Sequence, residues 1–452
     1  MKTHSIIVTS LLAMNALTAL AQHHQREHQK TDTSNTGHHE MMKHDSSMKD
    51  MPPMNHAFSL NLPMNRNGSG TAWLPDAAPM YGTMIHSRKW MYMLHWNIAP
   101  RYTVQNMGRK NMRGGEAFSA PNWLMFMGQR KIGKKGLLRF NTMLSADRLT
   151  EGGAGYPLLF QTGESWQGRP LVDSQHPHDL FSELSIGYTY AFSKKSDLSF
   201  YLAYPGEPAL GSVAFMHRPS ALANPDAPLS HHWNDGTHIT FGVATIGYRF
   251  NKLKIEASSF TGREPDENRY NFDKPRFDSY SGRLSYNPTR NWSFQVSQGW
   301  IKSPEFLHAD EDVTRTTASA IYAKKFGEEE FLNITALWGV NKQHESKSEN
   351  AVLIEASLRQ QKTAFYTRYE WTQKSVEELD LNEADFNMGS LFPVNAFTLG
   401  FNYDLFSLNN VRFAAGSQFT VYHTDNRLKD LYGKTPVSGQ VFLRIYPSLM
   451  NM

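Results

Sequence analysis

The chain has 452 residues and a formal charge of +4, from 46 basic and 42 acidic residues. Charge this balanced disfavours nucleic acid as a partner, because nucleic-acid-binding proteins carry a clustered basic excess. No stretch after the N-terminus approaches the roughly 18 unbroken apolar residues of a spanning helix, which excludes a helical membrane protein. Cysteine is absent, so any metal would need histidine, methionine, carboxylate or backbone ligands.

The N-terminal segment has the pattern of a secretory leader. Lys2 and His4 precede an apolar run from Ile6 to Leu20 that closes on Ala19-Leu20-Ala21, the small-x-small pattern read by signal peptidase. The sequence therefore predicts a signal peptide over residues 1–21. An uncleaved membrane anchor is the alternative, which the short apolar run disfavours.

Residues 22–70 form a predicted arm that contains seven histidines and six methionines among polar residues. Such a segment cannot bury enough apolar surface to fold, so we expect a disordered arm with a flexible joint at Asn65 to Gly70. Thioether and imidazole ligands favour copper, as Cu(I), or silver, held at labile sites with no tightly bound cofactor. A solvated low-complexity spacer is the alternative. The candidate ligands are His38, His39, Met41, Met42, His44, Met48, Met51, Met54 and His56.

Beyond Trp90 the side chains alternate between apolar and polar over segments of about ten residues, the length of a tilted strand that crosses a bilayer. In Thr363–Thr372, for example, Phe365, Tyr369 and Trp371 share one face while Arg368 and Glu370 share the other. A soluble β-sandwich also alternates, but its strands are usually about five or six residues long. Aromatic residues near the segment ends are typical of an interfacial girdle.

Sixteen such segments follow one another, and the connections between them alternate between short and long. This asymmetry is typical of bacterial outer-membrane barrels, which have short periplasmic turns. The sequence thus predicts an all-β fold, a transmembrane up-and-down antiparallel β-barrel of about 16 strands over residues 71–452. It would lie in the outer membrane of a Gram-negative bacterium with both termini in the periplasm. The predicted strands are 90–103, 121–130, 136–147, 180–192, 196–205, 237–250, 252–262, 277–287, 292–302, 314–326, 330–341, 350–361, 363–373, 394–406, 410–422 and 437–447.

A second group of candidate residues lies where predicted strands meet long loops. His176 and His178 precede strand four, and His231, His232 and His238 lead into strand six, so we expect them along one arc of the extracellular rim. Metal or substrate binding is one interpretation, and capping of strand ends is the other. Loops 148–179 and 206–236 are long enough to fold inward and narrow the barrel. Charges of both signs on the predicted luminal face indicate no ion selectivity.

The order of leader, Met/His-rich arm and barrel resembles the outer-membrane copper-resistance proteins of the copper-resistance protein B type. Four stretches are also similar to a widespread uncharacterised bacterial outer-membrane family: Gly70–Met80, Gln175–Phe181, Pro205–Ser220 and Gly262–Tyr270. The first resemblance implies that the arm captures soft metal ions and that the barrel passes or sequesters them. The implied partners are outer-membrane lipid, soft metal ions and periplasmic metal-handling proteins.

Two other functions remain open. One is a general diffusion channel for small polar solutes, with an incidental arm. The other is an outer-membrane hydrolase at the rim, using His176, His178 or His238 with Asp179 or Asp235. Because no nucleophile motif of the Gly-x-Ser-x-Gly kind stands in a suitable setting, we expect a protein that is not an enzyme and has no catalytic residues.

Overall fold

The computed structural model describes residues 59–343, 348–382, 384–387 and 389–450. The nine arm ligands predicted from the sequence, from His38 to His56, lie outside the described residues, as does the predicted leader. Within the described ranges, no helix is long and apolar enough to cross a membrane.

Nineteen strands form one continuous sheet, and every pairing in it is antiparallel. Two further two-stranded sheets lie in one loop. The strands are β1 (Thr83–Ser87), β2 (Trp90–Ile98), β3 (Arg101–Gln105), β4 (Gly115–Ser119), β5 (Asn122–Ile132), β6 (Gly136–Leu144), β7 (Tyr156–Pro157), β8 (Glu164–Trp166), β9 (Arg169–Leu171), β10 (Ser174–Gln175), β11 (Phe181–Ala191), β12 (Ser196–Ala203), β13 (Val243–Phe250), β14 (Leu253–Phe260), β15 (Ser279–Tyr286), β16 (Trp292–Ile301), β17 (Val313–Gly327), β18 (Glu330–Gln343), β19 (Glu349–Gln360), β20 (Thr363–Ser375), β21 (Leu391–Leu408), β22 (Val411–Thr424) and β23 (Val437–Pro447).

The large sheet closes into a barrel, which confirms the predicted fold. β2 and β3 are two halves of one strand bent at Pro100, and β4 and β5 are two halves of another bent at Pro121. With each bent pair counted once and the short β1 set aside, the described residues form sixteen barrel strands. The barrel closes where β3 pairs with β23, from Arg101 opposite Phe442 to Val104 opposite Gly439.

The strand alternation separates a lipid-facing surface from a luminal one. In β13, Ile246, Tyr248 and Phe250 are exposed, whereas Thr245, Gly247 and Arg249, which alternate with them, are buried. An apolar outer band with polar residues inside is the pattern of a transmembrane barrel. The fold therefore has the surface required of a protein that sits in a membrane as a barrel.

The connections are short at one end of the barrel and long at the other, which we call the short-turn end and the long-loop end. Residues 448–450 lie next to the short turn between β21 and β22, where the Ser448 N–H donates to the carbonyl oxygen of Asn410 at 2.9 Å. Tyr81 bridges to Leu449 in the same place. The last described residue therefore lies at the short-turn end.

Two segments fill the barrel interior, and no residue of either is exposed. The first is residues 59–82, called the N-terminal luminal segment. The second is residues 206–241, called the luminal plug, which confirms that this long loop folds inward. The short helices are the 3-10 turns Met64–Arg66, Phe215–His217 and Asn426–Leu428 and the α-helices α1 (Asp147–Glu151), α2 (His231–Asn234) and α3 (Lys429–Tyr432).

The flexible joint expected at Asn65 to Gly70 is instead a folded turn. The Arg66 guanidinium donates to the Asp76 carboxylate at 2.7 Å, and the Gly68 N–H donates to the carbonyl oxygen of Ala72 at 3.0 Å. Leu62 and Trp73 pack together beside this turn. The expectation was wrong because the polar residues of this stretch find partners inside the barrel, and the apolar residues that follow provide its packing.

Candidate functional site

The luminal plug contacts the barrel wall around much of its circumference. The Ala209 N–H donates to Ser258 Oγ of β14 and the Gly211 N–H donates to Ser297 Oγ of β16, both at 2.8 Å. Ser220 Oγ lies 2.6 Å from Thr335 Oγ1 of β18. Small hydroxyl side chains on the luminal face therefore satisfy the backbone of an irregular loop, as buried polar groups require.

Helix α2 of the plug lies directly against the wall at Gly339 of β18. A Cβ atom at this glycine would lie 2.3 Å from the carbonyl oxygen of Trp233, which is closer than real Cβ contacts. Trp233 itself is 1% exposed. The absence of a side chain at Gly339 is therefore what allows helix and wall to touch.

A buried ionic network anchors the plug. Arg218 donates to Asp235 of the plug and to Glu355 of β19, both at 2.8 Å. Glu355 also accepts from Arg368 of β20 at 3.0 Å. Because all four side chains are buried, removal of one partner would leave an uncompensated charge in the interior.

A second anchor lies beside the first, next to the closing strands, since Arg368 also donates to the carbonyl oxygen of Asp226 at 3.0 Å. Asp226 of the plug pairs with Arg101 of β3. Its carboxylate also accepts from Gln418 of β22 at 2.6 Å and from Gln440 of β23 at 3.0 Å. The plug is therefore anchored to the closing strands as well as to β19 and β20.

The five histidines predicted at the rim come together in one group, here called the histidine cluster: His176, His178, His231, His232 and His238. The ring centroid of His231 lies 4.9 Å from that of His238 and 5.2 Å from that of His232. His178 lies 5.3 Å from His238, and His176 lies 5.9 Å from His232. The five rings thus lie together, as expected from their positions at the loop bases, and they are buried or half-buried between loop and wall.

Three rings of the cluster are oriented by contacts at Nδ1. His178 Nδ1 lies 2.7 Å from Asp147 Oδ2, and His231 Nδ1 lies 2.9 Å from Asp235 Oδ1. His238 Nδ1 lies 3.0 Å from the carbonyl oxygen of Asp235. The Nε2 atoms of His178 and His238 are buried and have no hydrogen-bond partner among the described residues. A histidine held in this way at Nδ1 presents Nε2 as the free nitrogen.

The other two rings face glutamates. His176 Nε2 lies 3.2 Å from Glu164 Oε1, and His232 Nδ1 lies 3.7 Å from Glu264 Oε1. No signal in the sequence pointed to Glu164, because it lies inside the 148–179 loop and belongs to no motif. Glu164 in turn pairs with Arg269, which joins this side of the cluster to the next loop.

Burial sets the charge state of the cluster. Burial lowers the pKa of His232 to about 4, and it lowers the pKa of His176 and His238 well below the ordinary value. Burial alone would raise the pKa of Asp235, but Arg218 and His231 beside it hold that pKa below its usual range. The cluster thus combines neutral imidazoles with an ionised carboxylate at neutral pH.

Neutral imidazoles are the form that binds metal ions. Within the residues that the structure describes, however, no group of three or more histidine, aspartate or glutamate side chains has the arrangement of a metal site. The rim histidines are therefore close together but do not form a ready-made cage. Their use as metal ligands stays a prediction.

The pairs proposed for a hydrolase are not the pairs that form. His178 pairs with Asp147, whereas Asp179 accepts from Arg269 at 3.2 Å. The Asp235 carboxylate contacts His231 and Arg218. The sequence could not assign these partners because several carboxylates enter the same region from different loops.

A cavity of about 50 Å³ lies between the plug and the wall, beside the histidine cluster. It is large enough for water or a small ion. Its polar lining residues include Asn97, Asn122, Asp147, Glu151, Tyr156, Gln175, His176, His178 and Arg444, and its apolar ones include Ala99, Pro121, Trp123, Phe215, Met216 and Leu222. The lumen therefore retains a narrow space of mixed polarity where the plug meets β2 and β5.

No protein-family model matches the chain, and no curated protein does. Solved structures do match. One is OmpF of Salmonella typhi in complex with daunomycin, 10% identical, covering 80% of this chain and 100% of that one with a TM-score of 0.50. Two others are an anion-selective porin of Comamonas acidovorans (11% identical, 79% and 100% covered, TM-score 0.46) and in-vitro folded OmpT of Vibrio cholerae (10%, 80% and 99%, 0.46).

The chain thus has a porin-like fold, a sixteen-stranded antiparallel β-barrel similar to those of outer-membrane proteins. At this identity the likeness shows the fold alone. The resemblance to copper-resistance proteins of the B type stays a prediction from the arm.

Proposed function

We propose that the protein is a narrow outer-membrane channel for small polar solutes. The observation that carries this proposal is the cavity of about 50 Å³ between the plug and the wall, to which Asn97, Asp147, His178 and Arg444 contribute polar side chains. A sixteen-stranded barrel is wide enough for an aqueous lumen, and the plug reduces that lumen to spaces the size of water and small ions. The long-loop end would face the exterior and both termini would lie in the periplasm, by analogy with other outer-membrane barrels.

The inward charges support passage of hydrated rather than apolar solutes. Near the cavity, Arg444 of β23 donates to Asn97 at 2.7 Å, and Asp147 holds His178. Acidic and basic groups line the same space, so we expect weak discrimination between anions and cations.

The test is conductance of the full-length protein in planar lipid bilayers, combined with swelling of liposomes in solutes of increasing size. We expect small conductance steps, entry of ions and small polar solutes, and exclusion of disaccharides. Complete absence of conductance at all voltages, in protein that is folded in the bilayer, would overturn the proposal. Free entry of disaccharides would show that the plug does not define the passage.

Metal handling is a second candidate function, and the histidine cluster is the observation that favours it. Five imidazole rings lie together, and His178, His232 and His238 present buried Nε2 atoms that have no hydrogen-bond partner among the described residues. In this function the arm would capture Cu(I) or Ag(I) and the barrel would pass or sequester it, with outer-membrane lipid and periplasmic metal-handling proteins as partners. No enzymatic activity is proposed.

Deletion of residues 23–57 tests this second function and leaves the N-terminal luminal segment intact. Metal binding to the purified full-length and deleted proteins would be measured with Cu(I), Ag(I) and, as a control, Zn(II). Loss of several equivalents of the soft ions, with reduced copper tolerance of cells, is the expected result. Equal binding by both proteins would move the ligands into the barrel, and no binding by either would reject the metal function.

A further inference from the structure

The methionines of the barrel wall are concentrated in four neighbouring strands. They are Met84 of β1, Met91 and Met93 of β2, Met125 and Met127 of β5, and Met143 of β6. These strands pair side by side in the order β1, β2, β5, β6. The thirteen strands from β11 to β23 contain no methionine. Methionine that served only as a flexible filler of the core would have no reason to be confined to one part of the wall.

The strand register places three of these thioethers in one row. Met84 pairs with Met93, and Met93 pairs with Met127. Directly opposed residues of antiparallel strands have Cβ atoms about 4.5–5.5 Å apart. Met93 is buried, and it lies on the luminal face because its neighbour Tyr92 stacks on Phe126 of the outer face. The three sulfur-bearing side chains therefore point into the lumen from adjacent positions.

A small cavity of about 10 Å³ lies at this row. Met64 of the N-terminal luminal segment and Met91 complete its thioether lining, and the Gln129 amide nitrogen lies 4.0 Å from Met64 Sδ. A space of this size holds about one water-sized occupant. We call the five residues Met64, Met84, Met91, Met93 and Met127 the methionine pocket.

The chemistry of the pocket selects a soft ion. Thioether sulfur is neutral and polarisable and binds Cu(I) in preference to hard cations. Arg139 of β6 also borders the cavity and donates to the backbone carbonyl of Gly70 at 3.4 Å. Its positive charge disfavours divalent ions that are held mainly by electrostatic attraction. We propose that the methionine pocket binds one soft monovalent cation, Cu(I) or Ag(I), without a change in its oxidation state.

The pocket stands at the start of a line of soft donors that leads toward the histidine cluster. In the next luminal row, His95 pairs with Met125, and Met125 pairs with Met143. Met125 and Met143 pack with Met216 of the plug. The ring of His217, next in sequence, lies 5.9 Å from that of His95.

The ring of Phe215, which carries no donor atom, lies between this line and the histidine cluster. Its ring centroid lies 5.3 Å from that of His231 and 6.2 Å from that of His178. The donors thus extend from the region near the short-turn end into the middle of the lumen. The inference goes beyond the channel function, because an ion can bind in the pocket whether or not the barrel conducts.

The experiment uses full-length protein in detergent micelles, labelled with ¹³C at the methionine methyl groups and titrated with Ag(I). Single Met84→Leu, Met93→Leu and Met127→Leu variants assign the three resonances, since leucine has a similar volume and keeps the packing. We expect all three resonances to shift and to saturate together with Ag(I). The exposed Met107 and its loop neighbour Met112, assigned in the same way, are the matched controls and should not shift.

A second measurement covers the case in which the signals broaden. The Met84→Leu/Met93→Leu/Met127→Leu protein should retain about one equivalent of Ag(I) fewer than the wild type after dialysis against a weak chelator, while Met107→Leu/Met112→Leu should retain the full amount. Heat-dependent migration on gels reports folding of the barrel. Unchanged pocket resonances at excess Ag(I), or equal retention by both multiple variants, would overturn the proposal. Unchanged conductance of the triple variant would leave the channel function intact.

Discussion

Arg218 in the luminal plug donates to Glu355 in the barrel wall at 2.8 Å, and both side chains are fully enclosed. Replacement of Arg218 by methionine keeps most of the volume but leaves Glu355 and Asp235 without their shared partner. Loss of one partner from a buried ion pair costs about 3–5 kcal/mol. We therefore expect Arg218→Met to release the plug and to give larger, noisier conductance steps in planar bilayers.

The control is an ion pair of the same kind at the surface. Arg427 donates to Asp425 at 2.9 Å, and its side chain is 48% exposed. Exposed pairs contribute roughly 0–1 kcal/mol, so Arg427→Met should leave conductance unchanged. If Arg218→Met conducts like the wild type in folded protein, the ionic network does not hold the plug.

Gly339 provides a steric test of the same docking. A Cβ at this position would lie 2.3 Å from the carbonyl oxygen of Trp233, so Gly339→Val should push helix α2 away from β18. Trp233 is buried in the wild type. We expect its fluorescence to shift to longer wavelength and its indole ring to become accessible to iodide. The Trp233 signal is obtained as the difference from a Trp233→Phe protein.

Gly187→Ala is the matched control for Gly339→Val. Its nearest atom would be the carbonyl oxygen of Phe200 at 3.5 Å, an ordinary contact. This variant should show wild-type fluorescence and conductance. An unchanged Trp233 environment in Gly339→Val would mean that the wall yields rather than the plug.

His232 and Glu264 give the plug two opposed responses to pH. Burial lowers the pKa of His232 from 6.5 to about 4 and raises the pKa of Glu264 from 4.5 to about 7. Between pH 6.5 and 4, His232 takes up a proton when the plug is undocked and the ring is exposed, but it stays neutral when the plug is docked. His232 therefore weakens docking as pH falls. Between pH 4.5 and 7, Glu264 loses its proton when the plug is undocked and the carboxyl is exposed, but it keeps the proton when the plug is docked. Glu264 therefore weakens docking as pH rises.

Single substitutions should therefore tilt the pH response in opposite directions. In Glu264→Gln the histidine contribution remains, so channel opening should increase as pH falls from 6.5 to 4. In His232→Asn the glutamate contribution remains, so opening should increase as pH rises from 4.5 to 7. The measurement is conductance of both variants between pH 4 and 7. If conductance changes with pH in the same direction in both variants, His232 and Glu264 do not govern the plug.

The barrel could be predicted from the sequence because each strand carries its own signal. Alternation of side chains located all sixteen strands, since one face meets lipid and the other does not. Two features were missed. β1 is only five residues long, and β4 is separated from the remainder of its strand by Pro121. A proline inside a strand conceals its continuity.

The interior could be predicted only in part. The rim histidines were recognisable because they mark the bases of neighbouring long loops. Their partners Asp147 and Glu164 were not, since those contacts depend on how the loops fold inside the barrel. The row from Met84 to Met127 also escaped the sequence analysis. The alternation of side chains along each strand shows which face each methionine occupies, but only the register between strands shows which methionines are neighbours.

The absence of cysteine makes the docked plug directly testable with a designed disulfide. Ser220 Oγ of the plug lies 2.6 Å from Thr335 Oγ1 of β18, close to the separation of about 2.05 Å between bonded sulfurs. We expect Ser220→Cys/Thr335→Cys to form a disulfide on mild oxidation, because the two side chains already point toward each other. The cross-link would be detected by a change in gel migration that a reductant reverses.

The cross-link also tests whether conduction requires the plug to move. Introduced together with Arg218→Met, it should restore low conductance when oxidised and allow the larger steps again when reduced. Ser220→Cys with Arg218→Met is the control and should not respond to reductant. If the oxidised and reduced double-cysteine proteins conduct equally, ions pass the plug without its displacement, and the passage would then run through the cavity beside Asn97 and His178.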